Sequence, residues 1–450
     1  MSYSVFAAKC RFCSVLAFAV ACAIVAMSTA SSHGQVIQSA VGGVSIDAEG
    51  VVKAATIDNT NKLSDQRREE LEKIPGDLNG ATEMRKISLR RLEEAIEDCA
   101  KNNKPLPDAV KYLAGLQHIR YIFVYPEQKD IVLVGPGEGW KVDGRGNVVG
   151  VTTGRPVMLL DDLLVAMRTA KSAAQGGITC SIDPTPEGLA RLGQLRLRPG
   201  ADSATIAEEY EKAMGIQQIR VHGVPDTSHF ARVLVAADYR MKRIAMALDS
   251  SPVRGLPSYL QIAKPSKKMI SPRFWLEPKF DGLLADANGL AFELCGSSVK
   301  AMTEDDYIAA NGGVQHSGKA GPMAQKWADT MTEKYAELAV ADPIFGQLQN
   351  CMELAVAGAI VVKDNLPEKA GYDLPVLLGS SAVKPEVYNA PKQAPTLASI
   401  LKKGRGLIAG VSGGVAINSW AFADKAKTSD KVAAVRTKAA FEKTSGWWQN

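Results

Sequence analysis

The sequence predicts an α+β fold in which an αα-ββ module occurs twice and is followed by a strand hairpin and a helical hairpin. Three observations predict it. Runs with apolar residues at helical spacing alternate with short β-branched runs bounded by Pro and Gly. Two segments about one hundred residues apart match in three ordered blocks. These are Leu89-Arg-Arg-Leu92 with Leu189-Ala-Arg-Leu192, Gly115-Leu-Gln-His-Ile-Arg120 with Gly215-Ile-Gln-Gln-Ile-Arg220, and Asp130-Ile-Val-Leu-Val134 with Ala231-Arg-Val-Leu-Val235. Ordered blocks at a nearly constant offset indicate duplication of one supersecondary unit, here residues 88–135 and 188–236. Finally, a chain of 450 residues that is 46% hydrophobic carries enough apolar surface for sizeable cores.

Residues 1–30 read as an export signal. Lys9 and Arg11 precede the fourteen-residue uncharged run Ser14 to Met27, and Ser28-Thr29-Ala30 supplies small residues for cleavage after Ala30. The run is shorter than the ~20 residues that span a bilayer core. A lipid-modified Cys22 is the weaker alternative, because Ala19-Val20-Ala21 precedes it and the apolar run continues past it. Removing Lys9 and Arg11 lowers the formal charge from +5 to +3, which predicts no general affinity for nucleic acid or anionic membrane. The longest later apolar run, Leu354 to Val362, has nine residues, so the mature chain is expected to hold no transmembrane span.

Residues 31–86 form a hairpin around Asp47-Ala-Glu-Gly50 and a polar connector helix that Ser64 caps and Pro75-Gly76 stops. Residues 87–265 hold the two αα-ββ copies. In the first, Leu89, Leu92 and Ile96 recur at helical spacing, Ala109 to Leu116 makes a second helix, and Ile119 to Tyr125 and Asp130 to Val134 make strands about a Pro turn. Trp140 to Val149 is a further hairpin, and Leu160 to Lys171 a helix. Residues 266–363 contain strand-like Phe274 to Leu294, turning at Asp286-Ala-Asn-Gly289, and then two helices. Trp327, Met331, Tyr335 and Leu338 share a face of the first; Asp342-Pro343 starts the second, with Phe345, Leu348, Met352, Val356 and Ile360 as its stripe. Residues 364–450 are rich in Pro and Gly, with a strand-like Leu407 to Ile417 and a last thirty residues expected to be loosely held.

No catalytic motif is complete. Gly410-Val411-Ser412-Gly413-Gly414 has the look of a serine nucleophile loop but no partner histidine in a matching context, so it reads as a tight turn. Gly135-Pro-Gly-Glu-Gly139 leads into a strand, not into the helix N-terminus that would hold a phosphate. The Asp-x-x-Gly turns offer too few oxygens for calcium. His33, His118, His222, His229 and His316 lack zinc spacing, and no cofactor or metal is implied. Of seven cysteines, Cys99, Cys180, Cys295 and Cys351 lie beyond the signal, scattered singly, and read as small buried hydrophobes with disulfides left open.

Two surfaces remain. Glu277 and Asp281, beside Phe274-Trp275, are a carboxylate pair of the type a hydrolase uses. Asp238, Arg240 and Lys242 alternate along the expected strand and share a face, while Arg120 and Arg220 hold equivalent places in the two copies and suit carboxylates or phosphates.

The blocks Ser181-Ile-Asp-Pro-Thr-Pro-Glu-Gly-Leu189, Val235-Ala-Ala-Asp-Tyr-Arg-Met-Lys242, Gly154-Arg-Pro-Val-Met-Leu-Leu-Asp-Asp-Leu-Leu164 and Phe345-Gly-Gln-Leu-Gln-Asn-Cys-Met-Glu-Leu-Ala355 resemble a family of exported planctomycete proteins known only as a domain of unknown function. The resemblance runs from about Leu89 to Val362 and implies bacterial export, with no activity or site attached. The expected function is non-enzymatic binding or assembly at the cell envelope, toward a protein or ligand the sequence does not name, with a secreted or periplasmic hydrolase as the alternative.

Overall fold

The computed structural model describes residues 40–41, 43–54, 62–198, 200–264, 270–308, 314–316, 318–379, 382–403, 406–409, 411–441 and 446–450. The expected signal segment and its cleavage site lie outside them. Contacts divide the chain into Met1–Ala40, of which only Ala40 is described, and Val41–Asn450.

Helices and mostly antiparallel sheets make the α+β class plain. The chain first makes the hairpin β1 (Val44–Ile46) and β2 (Val52–Ala54), then a polar helix α1 (Lys62–Glu70) that begins upstream of the cap expected at Ser64. Strand β3 (Thr82–Ser88) leads into α2 (Leu89–Lys101), whose cap is the Ser88 hydroxyl accepting from Arg91 N. Strands β4 (Tyr121–Tyr125) and β5 (Asp130–Gly137) follow, then α3 (Leu160–Thr169) and β6 (Ile178–Pro184). Helices α4 (Pro186–Gln194) and α5 (Ser203–Met214) precede β7 (Ile216–His222) and α6 (His229–Ala245). Next come β8 (Ile270–Lys279), β9 (Gly282–Ala285), β10 (Ala291–Cys295), β11 (Ser298–Ile308) and β12 (Val314–His316). Helices α7 (Pro322–Glu333), α8 (Tyr335–Ala341) and α9 (Pro343–Lys363) are followed by β13 (Gln393–Pro395), β14 (Ser412–Ile417), β15 (Lys427–Thr428), α10 (Asp430–Lys438) and β16 (Trp448–Gln449).

Two seven-stranded sheets result, in the orders β12-β11-β8-β14-β6-β7-β13 and β15-β9-β10-β4-β5-β3-β16. Strands from beyond residue 392 sit in the middle of the first sheet and at edges of both. Strand β4 shows why the second sheet is covered twice: Ile122 and Val124 face the main core, while Tyr121, Phe123 and Tyr125 face a smaller cluster with Val432, Ala439 and Phe441. Residues 430–441 and 446–450 are therefore docked, contrary to the loose tail expected of them. Apolar residues on α10 and the pairing of Trp448 with Ile87 fix them.

Residues 229–245 are helical, and the αα-ββ reading fails for residues 188–236. The first segment has β4 and β5 as a hairpin, whereas in the second β7 pairs with the upstream β6 and with β13. Ser228 Oγ accepts from Ala231 N and starts α6, and Val233, Leu234, Ala237, Met241 and Ile244 form a helical stripe facing the core. The short run Val233-Leu-Val235 carried a strand signal only by analogy with Val132-Leu-Val134. Likeness survives locally at Gly115 and Gly215, which both take positive φ, 75° and 70°.

The helix expected around Trp327 breaks at Lys334 into α7 and α8, but Trp327, Met331, Tyr335 and Leu338 are all buried as its spacing implied. Helix α9 is long and apolar enough to cross a membrane, yet it is buried inside the protein on all sides, where it packs on α3, α6 and α8.

Candidate functional site

The first sheet ends in a cavity. Register brings four strand ends together there: Gln217 opposes Pro184, Gly414 opposes Ser181, and Arg273 lies beside Ser412. Close approach of β14 to both neighbours requires its glycines. A Cβ on Gly413, whose φ is +145°, would lie 1.4 Å from Phe274 O, and one on Gly414 would lie 2.0 Å from Cys180 O. Ser412-Gly413-Gly414 of the Gly-Val-Ser-Gly-Gly run thus start a central strand rather than the tight turn the composition suggested.

The cavity has a volume of about 290 Å³. Leu189 of α4 and Tyr210 and Met214 of α5 wall one side; Tyr239, Lys242 and Arg243 on the C-terminal half of α6 wall another. Asp183, Arg273 and Ser412 come from the strand ends. Helices α4 and α5 owe their pairing to a satellite cluster of Leu192, Tyr210, Met214 and Ala398, separate from the main core.

The charges around the cavity are mostly matched internally. Asp238 and Lys242, one turn apart on α6, form a buried pair with Nζ 2.8 Å from Oδ2, and Nζ also donates to Gly413 O at 3.3 Å. Asp238 Oδ1 has no hydrogen-bond partner among the described residues. Burial pushes the Asp238 carboxyl up despite the lowering influence of Lys242. Arg243 makes a two-point contact with Asp249, Nε to Oδ2 and Nη2 to Oδ1, both 2.8 Å, and these bonds hold the Asp249 carboxyl down. Asp183 accepts from Arg220 Nη1 at 3.2 Å and from Ser181 Oγ at 2.7 Å.

Residues 180–259 match the model of a family described as a protein of unknown function (DUF1598). The matched stretch holds most of β6 and all of α4, α5, β7 and α6, so it supplies most of the cavity wall. No curated protein and no solved structure matches the chain.

Of the five residues singled out from the sequence for binding, only Lys242 lines the cavity. Asp238 stands behind it as its counter-ion, and Arg220 reaches the cavity only through Asp183. Arg240 turns elsewhere because α6 is a helix: it binds Asp249 and, at 2.8 Å, Asp342. The expected common strand face of Asp238, Arg240 and Lys242 therefore does not exist. Arg120 lies at β4 of the second sheet, half exposed, 4.0 Å from Glu293 and over the Tyr121 ring. Sequence reasoning passed over Arg273, Tyr210 and Tyr239, and discounted Ser412. They carry no local signal, since it is strand register and helix pairing that bring them together.

Glu277 is held by Trp275 Nε1 at 2.7 Å and by Lys300 at 3.1 Å. It lies four residues further along β8 than Arg273, about 13 Å at the rise of a strand. Asp281 sits in the turn between β8 and β9, where its N–H donates to Cys295 O. The four described cysteines are free thiols. Among the described residues no three His, Cys, Asp or Glu side chains gather in the manner of a metal site.

Proposed function

We propose that the protein is exported and works by binding a small amphipathic molecule in this cavity at the cell envelope. The observation that carries the reading is the cavity itself, lined mainly by apolar residues with a few polar groups among them, Asp183, Lys242, Arg273 and Ser412, the usual make-up of a small-molecule site. The basic and apolar leader and the resemblance to exported planctomycete proteins support the location. A hydrolase at Glu277 and Asp281 is the weaker reading, because Glu277 is engaged by Lys300 and Trp275.

Saturation-transfer NMR with 1-octanol as the probe tests the site, comparing the mature protein with Met214→Trp, which fills the cavity. Transfer in the mature protein that is lost in Met214→Trp supports the reading. Equal transfer to both proteins overturns it, as does turnover of glycans, esters or peptides that Glu277→Gln and Asp281→Asn abolish. Mass spectrometry of the native N-terminus tests export: a chain beginning at Ser31 is expected, and an intact Met1 overturns it.

A further inference from the structure

We infer that the occupant of this cavity is a small amphipathic carboxylate and that Arg273 is its anion receptor, an inference that rests on the cavity being a binding site. The reasoning is a charge balance. Lys242 is matched by Asp238, Arg243 by Asp249, and Asp183 by Arg220. Arg273 makes no ion pair with a carboxylate among the described residues, although Glu304 is its cross-strand neighbour on β11. Glu304 instead accepts from Gly318 N. The Arg273 guanidinium lies 5.5 Å from the centre of the Trp275 ring and acts on Asp238 only through space. Among the described residues Arg273 is therefore a cation on the wall of a partly enclosed cavity with no carboxylate in ion-pair contact.

A guanidinium matches a carboxylate in shape as well as charge, since its planar fork gives two parallel N–H donors to two oxygens. Lys242 adds a third donor direction, because two of its ammonium hydrogens are directed at Asp238 and Gly413. Leu189, Tyr210 and Met214 in the same cavity offer apolar surface to the rest of the molecule. Size narrows the class further. A volume of about 290 Å³ is near the lower end of the range that small-molecule sites occupy, which suits a small ligand. Octanoate, with its two oxygens at one end and an alkyl chain at the other, has the required size and polarity.

Isothermal titration with octanoate, 1-octanol and octylamine tests the class on the mature protein, Arg273→Met, Arg273→Lys and Met214→Trp. Octanoate is expected to bind the mature protein more tightly than the alcohol, and octylamine weakest. Arg273→Met should weaken octanoate about ten- to a hundredfold and leave 1-octanol unchanged, because only the charge-assisted bonds are lost. Arg273→Lys should fall between, keeping the charge but not the fork. Circular dichroism and the melting temperature establish that each variant is folded. Equal affinity for acid and alcohol, or octanoate binding indifferent to Arg273→Met in a folded protein, overturns the carboxylate assignment while leaving the cavity a binding site. Binding of both compounds that Met214→Trp does not affect overturns the site itself.

Discussion

Replacing Glu353 should expose how the second sheet is fastened to the central helix. Glu353 is fully buried on α9, and its carboxylate collects four donors. Oε1 faces His118 Nδ1 at 2.7 Å, Ser297 Oγ at 2.5 Å and Gln349 Nε2 at 3.2 Å, and Oε2 accepts from Ile119 N at 2.9 Å. Burial pushes this carboxyl up, but His118, Ser297 and the Ile119 amide outweigh it and leave it below its ordinary value. Glu353→Ala strands all four donors, and at about 1 kcal/mol each it should cost about 4 kcal/mol. Glu353→Gln keeps one acceptor and points an NH₂ at existing donors, so about 2 kcal/mol is expected. The pH dependence follows from the lowered carboxyl. Its contribution is present above the unfolded value of 4.5 and is lost as pH falls through the lower folded value, so Glu353→Gln should flatten the acid limb of stability. Urea unfolding between pH 3 and pH 7 measures both effects. A cost below about 0.5 kcal/mol for Glu353→Gln at pH 7, with an unchanged acid limb, would refute the account.

Three other perturbations separate the remaining claims. Gly413→Ala places a methyl 1.4 Å from Phe274 O and should cost at least about 3 kcal/mol or yield insoluble protein, while Gly76→Ala, with no atom within 4 Å, should be neutral; soluble yield and thermal melting decide. His229 Nδ1 lies 3.0 Å from both oxygens of Asp162, and although burial opposes its charge, Asp162 raises it net; its contribution is therefore full below the unfolded value of 6.5 and fades as pH rises through the folded one. Asp162→Asn should remove that slope and cost about 3 kcal/mol at pH 6, read by urea unfolding curves carried from pH 6 up into the alkaline range. Deleting residues 446–450 removes the pairing of Trp448 with Ile87 and the acceptor of Ser88 N, and should cost about 2 kcal/mol with faster amide exchange at Lys86 and Ser88.

What was legible in the sequence is what local chemistry decides. The Asp286-Ala-Asn-Gly289 turn is one case: Asp286 Oδ1 accepts from Leu290 N and Ala291 N, and Gly289 takes φ +61°. Helix α2 is another, since Leu89, Leu92 and Ile96 are buried at the spacing that predicted them. Misreadings arose where a short apolar run fits two structures. Ala231 to Val235 borrowed a strand from its likeness to Asp130 to Val134, although Ser228 offered a helix cap three residues before Ala231. The buried carboxylates Glu93, Glu138 and Glu353 were invisible for a different reason. Their partners come from distant segments, Glu93 being held by Val376 N, Leu377 N and the Tyr372 hydroxyl. The cavity is of the same kind, because Arg273 meets Ser412 through a parallel register that no neighbouring residues announce.

That dependence on register bears on where recognition resides. The segment matched by the family model, residues 180–259, contributes Leu189, Tyr210, Met214, Tyr239 and Lys242 to the cavity, and β6 and β7 pair within it. Alone it would leave both outer edges of that strand pair open, because β14 and β13 cover them from beyond residue 392. It would also lack Arg273, which β8 delivers from outside the match. Most of the helical walls of the cavity and Arg273 thus have separate origins in the chain. A protein that shares the matched segment but carries a neutral residue in place of Arg273 would keep the apolar cavity and lose the preference for an acid, so ligand choice can change without any change in the segment that defines the family.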